Sequence, residues 1–449
     1  VDTPAPPRYR DWAIAAVLSL CCILIGFTGI KPQTLAAYDQ PLYLGIASDL
    51  AQTGVYTNGR FGDAGVPGAY TAPLYPAMVA GLALLDPVLA RNAACVRGAP
   101  AGGIAACPAS LGVLLPVQVA LACLTLMLVW RSVLAIGGGP VAAWAALLGA
   151  GLGTTEYAVY ARTAMTEALS LPLAALAGLL LVLLVQTPRW RIAAGLGVAL
   201  GLLTLTRPEY LYLAAALGGV GVVAALWRRR FGLRLIAAML VSGLVIAPWS
   251  VRNERLFGTA APTYGYAGFI LVQRMAYEAM TPREWVAQFI YALPGFGPAA
   301  ARLAMPDAVA RLGWEDRPDT FYMAGNTTMQ AELKAAAPNP ADQVGYLIHR
   351  YVFGDPFRFI AVTIALAWKG LWVRKYFSLV AVPCFAALVW QAFRRRDPRL
   401  LAFVLPPLFI LGLHAATTVS TPRYSLMMIP AYAAAFGLLA ERVWRRIRS

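Results

Sequence analysis

Charged side chains are scarce in this sequence. They make up 13% of its 449 residues, where a soluble globular chain carries about a quarter. With 59% of the residues hydrophobic and a mean hydropathy of +0.63, that scarcity excludes an ordinary soluble enzyme and implies an integral membrane protein. Histidine is scarcer still: His349 and His414 are the only two and lie far apart in sequence, so a histidine-built metal site has little to draw on. No P-loop, GxSxG or HExxH occurs. The start, "VDTPAPPRYRDW", shows no small-residue cleavage site after the first apolar stretch, so a retained helix is expected there. Internal repeats and low-complexity tracts are also lacking, which weighs against a secondary transporter built from repeated halves.

What is present is a series of long apolar runs. They predict ten spans, at roughly 12–30, 111–130, 140–155, 168–186, 191–206, 210–226, 234–251, 376–393, 399–416 and 424–441. Basic clusters at Arg8 and Arg10, Arg131, 188–191, 228–234, 394–399 and the C-terminus all fall on one side. They account for the net charge of +16 without nucleic acid and make both termini cytoplasmic. The expected fold is therefore an all-α polytopic membrane protein with about ten transmembrane helices. It divides into 1–251, a large external segment 252–375, and C-terminal helices 376–449. A first external segment, 31–110, lies within the N-terminal part. Both external segments carry amphipathic patterns, with Leu42, Ile46 and Leu50 in the first and 281–293 and 341–353 in the second. The apolar stretch 356–376 would break the side assignment as a span and reads as interfacial or partly inserted.

Of six cysteines, Cys21, Cys22, Cys123 and Cys384 sit in apolar spans as small hydrophobes. Cys95 and Cys107 share the first external segment, and on an oxidising face a disulfide between them is expected. Charges that the side rule leaves unexplained gather at the external ends of spans: Arg162 with Glu167, Arg207 with Glu209, Arg252 with Arg255, Lys369 with Arg374 and Lys375, and Arg423. Ionisable groups near a membrane are costly and pair or line a cavity; singly, each also fits a snorkelling or ion-paired residue. Together with Asp39 they outline a site that could hold an anion beside a carboxylate. Asp39 equally suits the N-cap of a helix beginning at Pro41, and Asp49 reads as an exposed helix residue. Tyr264, Tyr266, Trp285, Trp314 and Tyr322 supply rings that stack on sugars or simply populate an interfacial belt.

An anion beside a carboxylate at headgroup level suits transfer of a sugar carried on a polyprenyl phosphate. A base takes the acceptor's proton, and cations hold the departing phosphate. The residues also carry a family resemblance. "YDQPLYLGIASDLAQTGVYT" followed by "TAPLYPAMVAGL" is similar to the first external loop of GT-C glycosyltransferases, in the branch of protein O-mannosyltransferases and lipid A aminoarabinose transferase. "ARTAMTEALSLPLAAL", "TRPEYLYL", "PWSVRNERLFG" and "TPRYSLMMIPAY" follow in the expected order.

The resemblance implies a polyprenyl-phosphate-sugar donor and an inverting, metal-independent displacement with no cofactor. It places Asp39 and Glu167 as catalytic acids and Arg252 and Arg423 at the donor phosphate, where the charge pattern itself adds Arg162, Arg207 and Lys369. Apart from the resemblance, Tyr43, Tyr75 and Tyr264 are expected as sugar or acceptor contacts. Two departures stand out: Gln40 follows Asp39 where many members have a second acid, and Thr71–Ala72 replaces a lysine before the Pro-Leu motif, with Arg60 as a possible substitute. The Ala/Arg/Gly-rich composition suggests a bacterial inner-membrane protein, its site facing the periplasm and its acceptor an envelope lipid or glycan. A polysaccharide polymerase or ligase using a lipid-linked donor is the alternative, with the transporter behind it.

Overall fold

Inside hydrocarbon every backbone N–H and C=O must find its partner within the protein, so the apolar runs have little choice but to form helices. The computed structural model describes residues 8–30, 33–100, 102–153, 156–313, 317–373, 375–421 and 423–448. Among them it contains helices and turns and no β-strand. The described residues group into two units, one drawn from 1–263, 387–406 and 433–449, the other from 264–386 and 407–432.

The first unit opens with α1 (Tyr9–Thr28) and then the helices α2 (Gln40–Thr53), α3 (Leu74–Ala83) and α4 (Pro87–Gly98). Proline in the first turn starts α2, and Gly54 ends it in the left-handed conformation. Asp86 caps α4 by accepting from the Val88 amide. The chain continues through α5 (Leu114–Ala135), α6 (Pro140–Gly153), α7 (Glu156–Ala161), α8 (Glu167–Gln186), α9 (Trp190–Thr206), α10 (Tyr210–Trp227) and α11 (Arg229–Phe257).

The second unit holds α12 (Tyr266–Met275), α13 (Pro282–Tyr291), α14 (Gly297–Ala304), α15 (Phe321–Asn326), α16 (Thr328–Ala336), α17 (Pro340–Leu347) and α18 (Pro356–Leu371). A capping box between Thr281 and Glu284 starts α13. Tyr277, Leu312, Phe321 and Leu366 form one core of this unit, and Val272, Met275, Leu333 and Leu347 another. The last helices, α19 (Lys375–Arg395), α20 (Pro398–Thr417) and α21 (Ile429–Arg448), contribute residues to both units.

Each of the ten expected spans is a helix. Among the described residues, eight helices are long and apolar enough to cross a membrane: α1, α5, α8, α10, α11, α19, α20 and α21. The other two, α6 and α9, are apolar but have only 14 and 17 residues. At the helical rise they reach roughly 21 and 26 Å of a core about 30 Å thick. Within the 356–376 stretch, Pro356–Leu371 is α18, and it turns 99° from the helix before it, forming no straight span.

Candidate functional site

Tyr38, just before α2, holds a positive φ of 57° and exposes about half its surface. That conformation is unusual for a bulky residue. It sets Asp39 at the helix start, partly exposed, its carbonyl accepting from the amides of Leu42 and Tyr43. The carboxylate itself makes no capping hydrogen bond. The cap that the sequence allowed is thus not what the side chain does.

Gln40 explains one departure from the family pattern. It is 1% exposed and bonded on both sides. Its amide donates to the carbonyls of Thr34 and Ala37, and its Oε1 accepts from the Ala164 amide at 2.8 Å. A second acid there would offer no donor to the two carbonyls. The residue pins the Asp39 turn to the 162–167 segment. A parallel tie runs from the Tyr75 hydroxyl to Gln118 Oε1 at 2.8 Å, and from the Gln118 amide to the Ala161 carbonyl.

The predicted phosphate ligands of this unit differ in kind. Arg162 lies 4.1 Å above the Phe27 ring and donates to its carbonyl at 3.3 Å, with no carboxylate partner among the described residues. Arg252 lies 4.3 Å above Trp249, donates to the Tyr56 carbonyl at 3.2 Å and to Asn253 Oδ1 at 2.9 Å, and likewise lacks a carboxylate partner among the described residues. Arg207 is committed: it donates to Glu167 Oε1 at 2.8 Å and to Glu209 Oε1 at 2.6 Å, and is 6% exposed. Its guanidinium balances two carboxylates and is not presented to an anion.

The same ion pair revises Glu167. Its surface is fully buried, one oxygen accepting from Arg207 and the other from Thr166. It holds two helix ends together and offers no carboxylate to an acceptor. Tyr43 and Tyr75 pack edge to face at 5.5 Å and are 7% and 0% exposed. Burial first, then the Tyr43 phenol and Glu167, push the Tyr75 phenol well above its usual range. These rings are core, with no free face for a sugar, because the aromatic pair fills the gap between α2 and α3.

Arg60 does not stand in for the missing lysine. It donates to the carbonyls of Val96, Ala99 and Pro100, closing the C-terminus of α4. Cys95 and Cys107 are disulfide-bonded beside it, with Cα atoms 5.9 Å apart. Asp49 is not exposed either: it is 4% accessible, accepts from Arg97 at 2.8 and 2.9 Å, and takes the Thr57 hydroxyl. After Gly54 the chain doubles back along α2. Gly59 (φ +55°) comes so near that an added Cβ would meet the Leu42 carbonyl at 2.9 Å. That return brings Tyr56 beneath Arg252. Burial raises the Tyr56 phenol above its usual range, and its hydroxyl bonds to Thr71 and to the Ala72 carbonyl, where the family lysine is replaced. Arg252 and the Thr71–Ala72 position therefore meet through one tyrosine.

The remaining predicted residues belong to the second unit. Lys369 Nζ lies 3.5 Å from the Tyr277 hydroxyl and 3.4 Å from the Val419 carbonyl. Arg423 sits in the turn before α21, and Tyr264 precedes α12. Trp285 donates to the Ala361 carbonyl and packs on Phe289. Trp314 and Arg374 lie outside the described residues. Among the described residues, no three His, Cys, Asp or Glu side chains gather as metal ligands.

No family model and no curated protein matches the chain. Solved structures of the oligosaccharyltransferase of the archaeon Archaeoglobus fulgidus do. The enzyme, AglB, in complex with an inhibitory peptide and a dolichol-phosphate aligns at TM-score 0.48 and 11% identity, over 97% of this chain and 51% of that one. Its apo form gives 0.49 and 12%, over 97% and 51%. The form tethered through a disulfide to an acceptor peptide containing the NVT sequon gives 0.50 and 10%, over 97% and 50%. The chain spans about half the length of the solved chains it matches. At these identities the likeness concerns the fold alone: the chain is a polytopic all-α membrane protein whose helices follow the arrangement of these solved chains.

Proposed function

We propose that this protein transfers a sugar from a polyprenyl-phosphate-linked donor to an acceptor hydroxyl, with Asp39 as the base and inversion at the transferred carbon. The observation that carries this reading is the Asp39 turn. Its carboxylate makes no helix-capping bond, a strained Tyr38 precedes it, and Gln40 locks it to the segment that bears Arg162. A base must reach the acceptor's proton and stay where it is put. Arg162 and Arg252 supply guanidinium groups not neutralised by described carboxylates, suited to a departing phosphate. Lys369 and Arg423 are further candidates at the phosphate, and Tyr264 at the sugar. On this reading the site faces the periplasm from a bacterial inner membrane, the termini are cytoplasmic, and the acceptor is an envelope lipid or glycan. Glu167 acts by positioning, through Arg207.

Native mass spectrometry of the full chain, released from nanodiscs containing polyprenyl phosphates, tests the donor class. The wild type is expected to retain a polyprenyl phosphate or its sugar adduct, and Arg252→Ala to lose it. Asp39→Asn should retain the donor and accumulate it unspent. Bulk phospholipid alone on the wild type would sink the proposal.

A further inference from the structure

The second unit contains a cavity of about 470 Å³ that none of the residues above uses, within the ~300–1,000 Å³ usual for small-molecule sites. Glu278, Glu332, Arg350, Tyr351, Asp355 and Arg358 line it, over Met275 and Met329. It sits at a built break in the chain. After α17 comes one turn of π-helix, Ile348–Phe353, and the axis then swings 99° into α18. Such turns recur at functional sites. A Cβ on Gly354 would lie 2.2 Å from the Arg350 carbonyl, so the break accepts glycine and little else.

The walls are fixed from behind. Asp355 caps α18 by accepting from the Arg358 amide at 3.0 Å. Arg358 reaches across to the carbonyls of Glu278 and Met280. Arg274, fully buried, donates to Glu278 Oε1 at 2.7 Å, to the Ala415 carbonyl at 2.8 Å and to Thr363 Oγ1 at 3.0 Å. Among the described residues Arg274 is the only donor to the Glu278 carboxylate, and it reaches Oε1. Burial, outweighing Arg274, raises the Glu278 carboxyl above its ordinary value. Arg350 gives one N–H to the Tyr346 hydroxyl at 2.6 Å and keeps the rest of its fork.

The lining thus combines three carboxylates with two guanidinium groups. Phosphates and nucleotides meet the carboxylates; ammonium groups and divalent cations meet the arginines. A neutral ligand dense in hydroxyls satisfies both, each hydroxyl donating to a carboxylate and accepting from a guanidinium, while its C–H face lies on Tyr351 and the methionines. We propose that this cavity binds a neutral saccharide unit. The inference stands whether or not Asp39 is a catalytic base.

Saturation-transfer NMR on the full chain in nanodiscs tests it, with a panel of glucose, galactose, mannose, arabinose and their neutral disaccharides. Alkyl maltoside detergents are avoided because their head groups are themselves neutral sugars. At least one probe is expected to receive saturation. Glu332→Gln and Arg350→Met change exposed rim side chains, and each should weaken that probe by about tenfold with the unfolding curve unchanged. Glu278→Gln should act likewise where it stays folded by its unfolding curve. Silence from every neutral sugar, equal transfer in the rim variants, or preference for a hexuronate, inorganic phosphate or magnesium would each overturn the proposal.

Discussion

Replacing Arg207 with methionine removes the cation that two carboxylates share. Glu167 has 0% side-chain exposure and Arg207 7%, at 2.8 Å; Glu209, 2.6 Å away, keeps 19%. Glu209 can rehydrate, so its loss is small, ~1 kcal/mol or less. Glu167 cannot, and stranding a fully buried carboxylate costs about 3–5 kcal/mol. At roughly 2 °C per kcal/mol for a large cooperative unit, the unfolding midpoint in nanodiscs should fall by about 6–10 °C. The double variant Glu167→Gln with Arg207→Met leaves no uncompensated charge at that position and should recover at least half of the loss, a non-additivity of about 1–3 kcal/mol. Arg207→Lys should fall between, because a point-charge ammonium cannot serve two carboxylates in fixed directions. An Arg207→Met midpoint within about 1 °C of wild type would refute the structural assignment. Were that variant stable but stripped of bound polyprenyl phosphate, Arg207 would belong at the donor after all.

Other outcomes follow from the same geometry. Reducing the Cys95–Cys107 bond, which spans 12 residues, should cost at most about 3 kcal/mol of the local stability of the α4 end, visible as faster amide exchange there; no change would remove its structural role. Asp49→Asn leaves Arg97, 21% exposed, without its anion, and should cost about 1.5–3 kcal/mol by thermal unfolding. In the second unit two glutamates pull in opposite directions with pH. Burial alone would raise Glu284, but its Arg311 pair and the Thr281 bonds outweigh it and lower its carboxyl below the ordinary 4.5. Its stabilisation is present above that value and is lost as pH falls. Glu278 is raised, so its contribution is present below 4.5 and fades as pH climbs. Unfolding curves collected from about pH 3 to 7 should lose acid sensitivity in Glu284→Gln and gain it in Glu278→Gln; the reverse pattern would sink the assignment.

The helices were legible because hydrocarbon-length apolar runs have one backbone solution, and even the two short ones, 140–153 and 190–206, appear where hydropathy put them. The Asp39 turn was legible as an acid at a helix start. Partners far away in sequence were not. Asp49 looks solvent-facing until Arg97 arrives 48 residues later, and Arg207 looks unspent until Glu167, 40 residues earlier, is seen against it. Tyr43 and Tyr75 carried the right chemistry for sugar contact, yet spacing gives no sign that one ring covers the other. The break before α18 did leave a signal: Gly354-Asp355-Pro356 is a helix stop, an N-cap and a first-turn proline in succession. The π-turn ahead of it leaves no such mark.

The bonds that fix the Asp39 turn also impose an order in time. Its tie to Ala164 joins residues 124 apart, and the Arg252–Tyr56 bond joins residues 196 apart. Synthesis at ~5–20 residues per second separates the latter two by roughly 10–40 s. During that interval the segment between α1 and α5 has its disulfide and its Arg60 clasp within reach, since those partners lie close in sequence. Each newly made molecule therefore spends its first seconds with the acid-bearing loop folded on itself; the Asp39 turn is fixed once residue 164 has been made, and Tyr56 gains Arg252 only after the eleventh helix has been delivered.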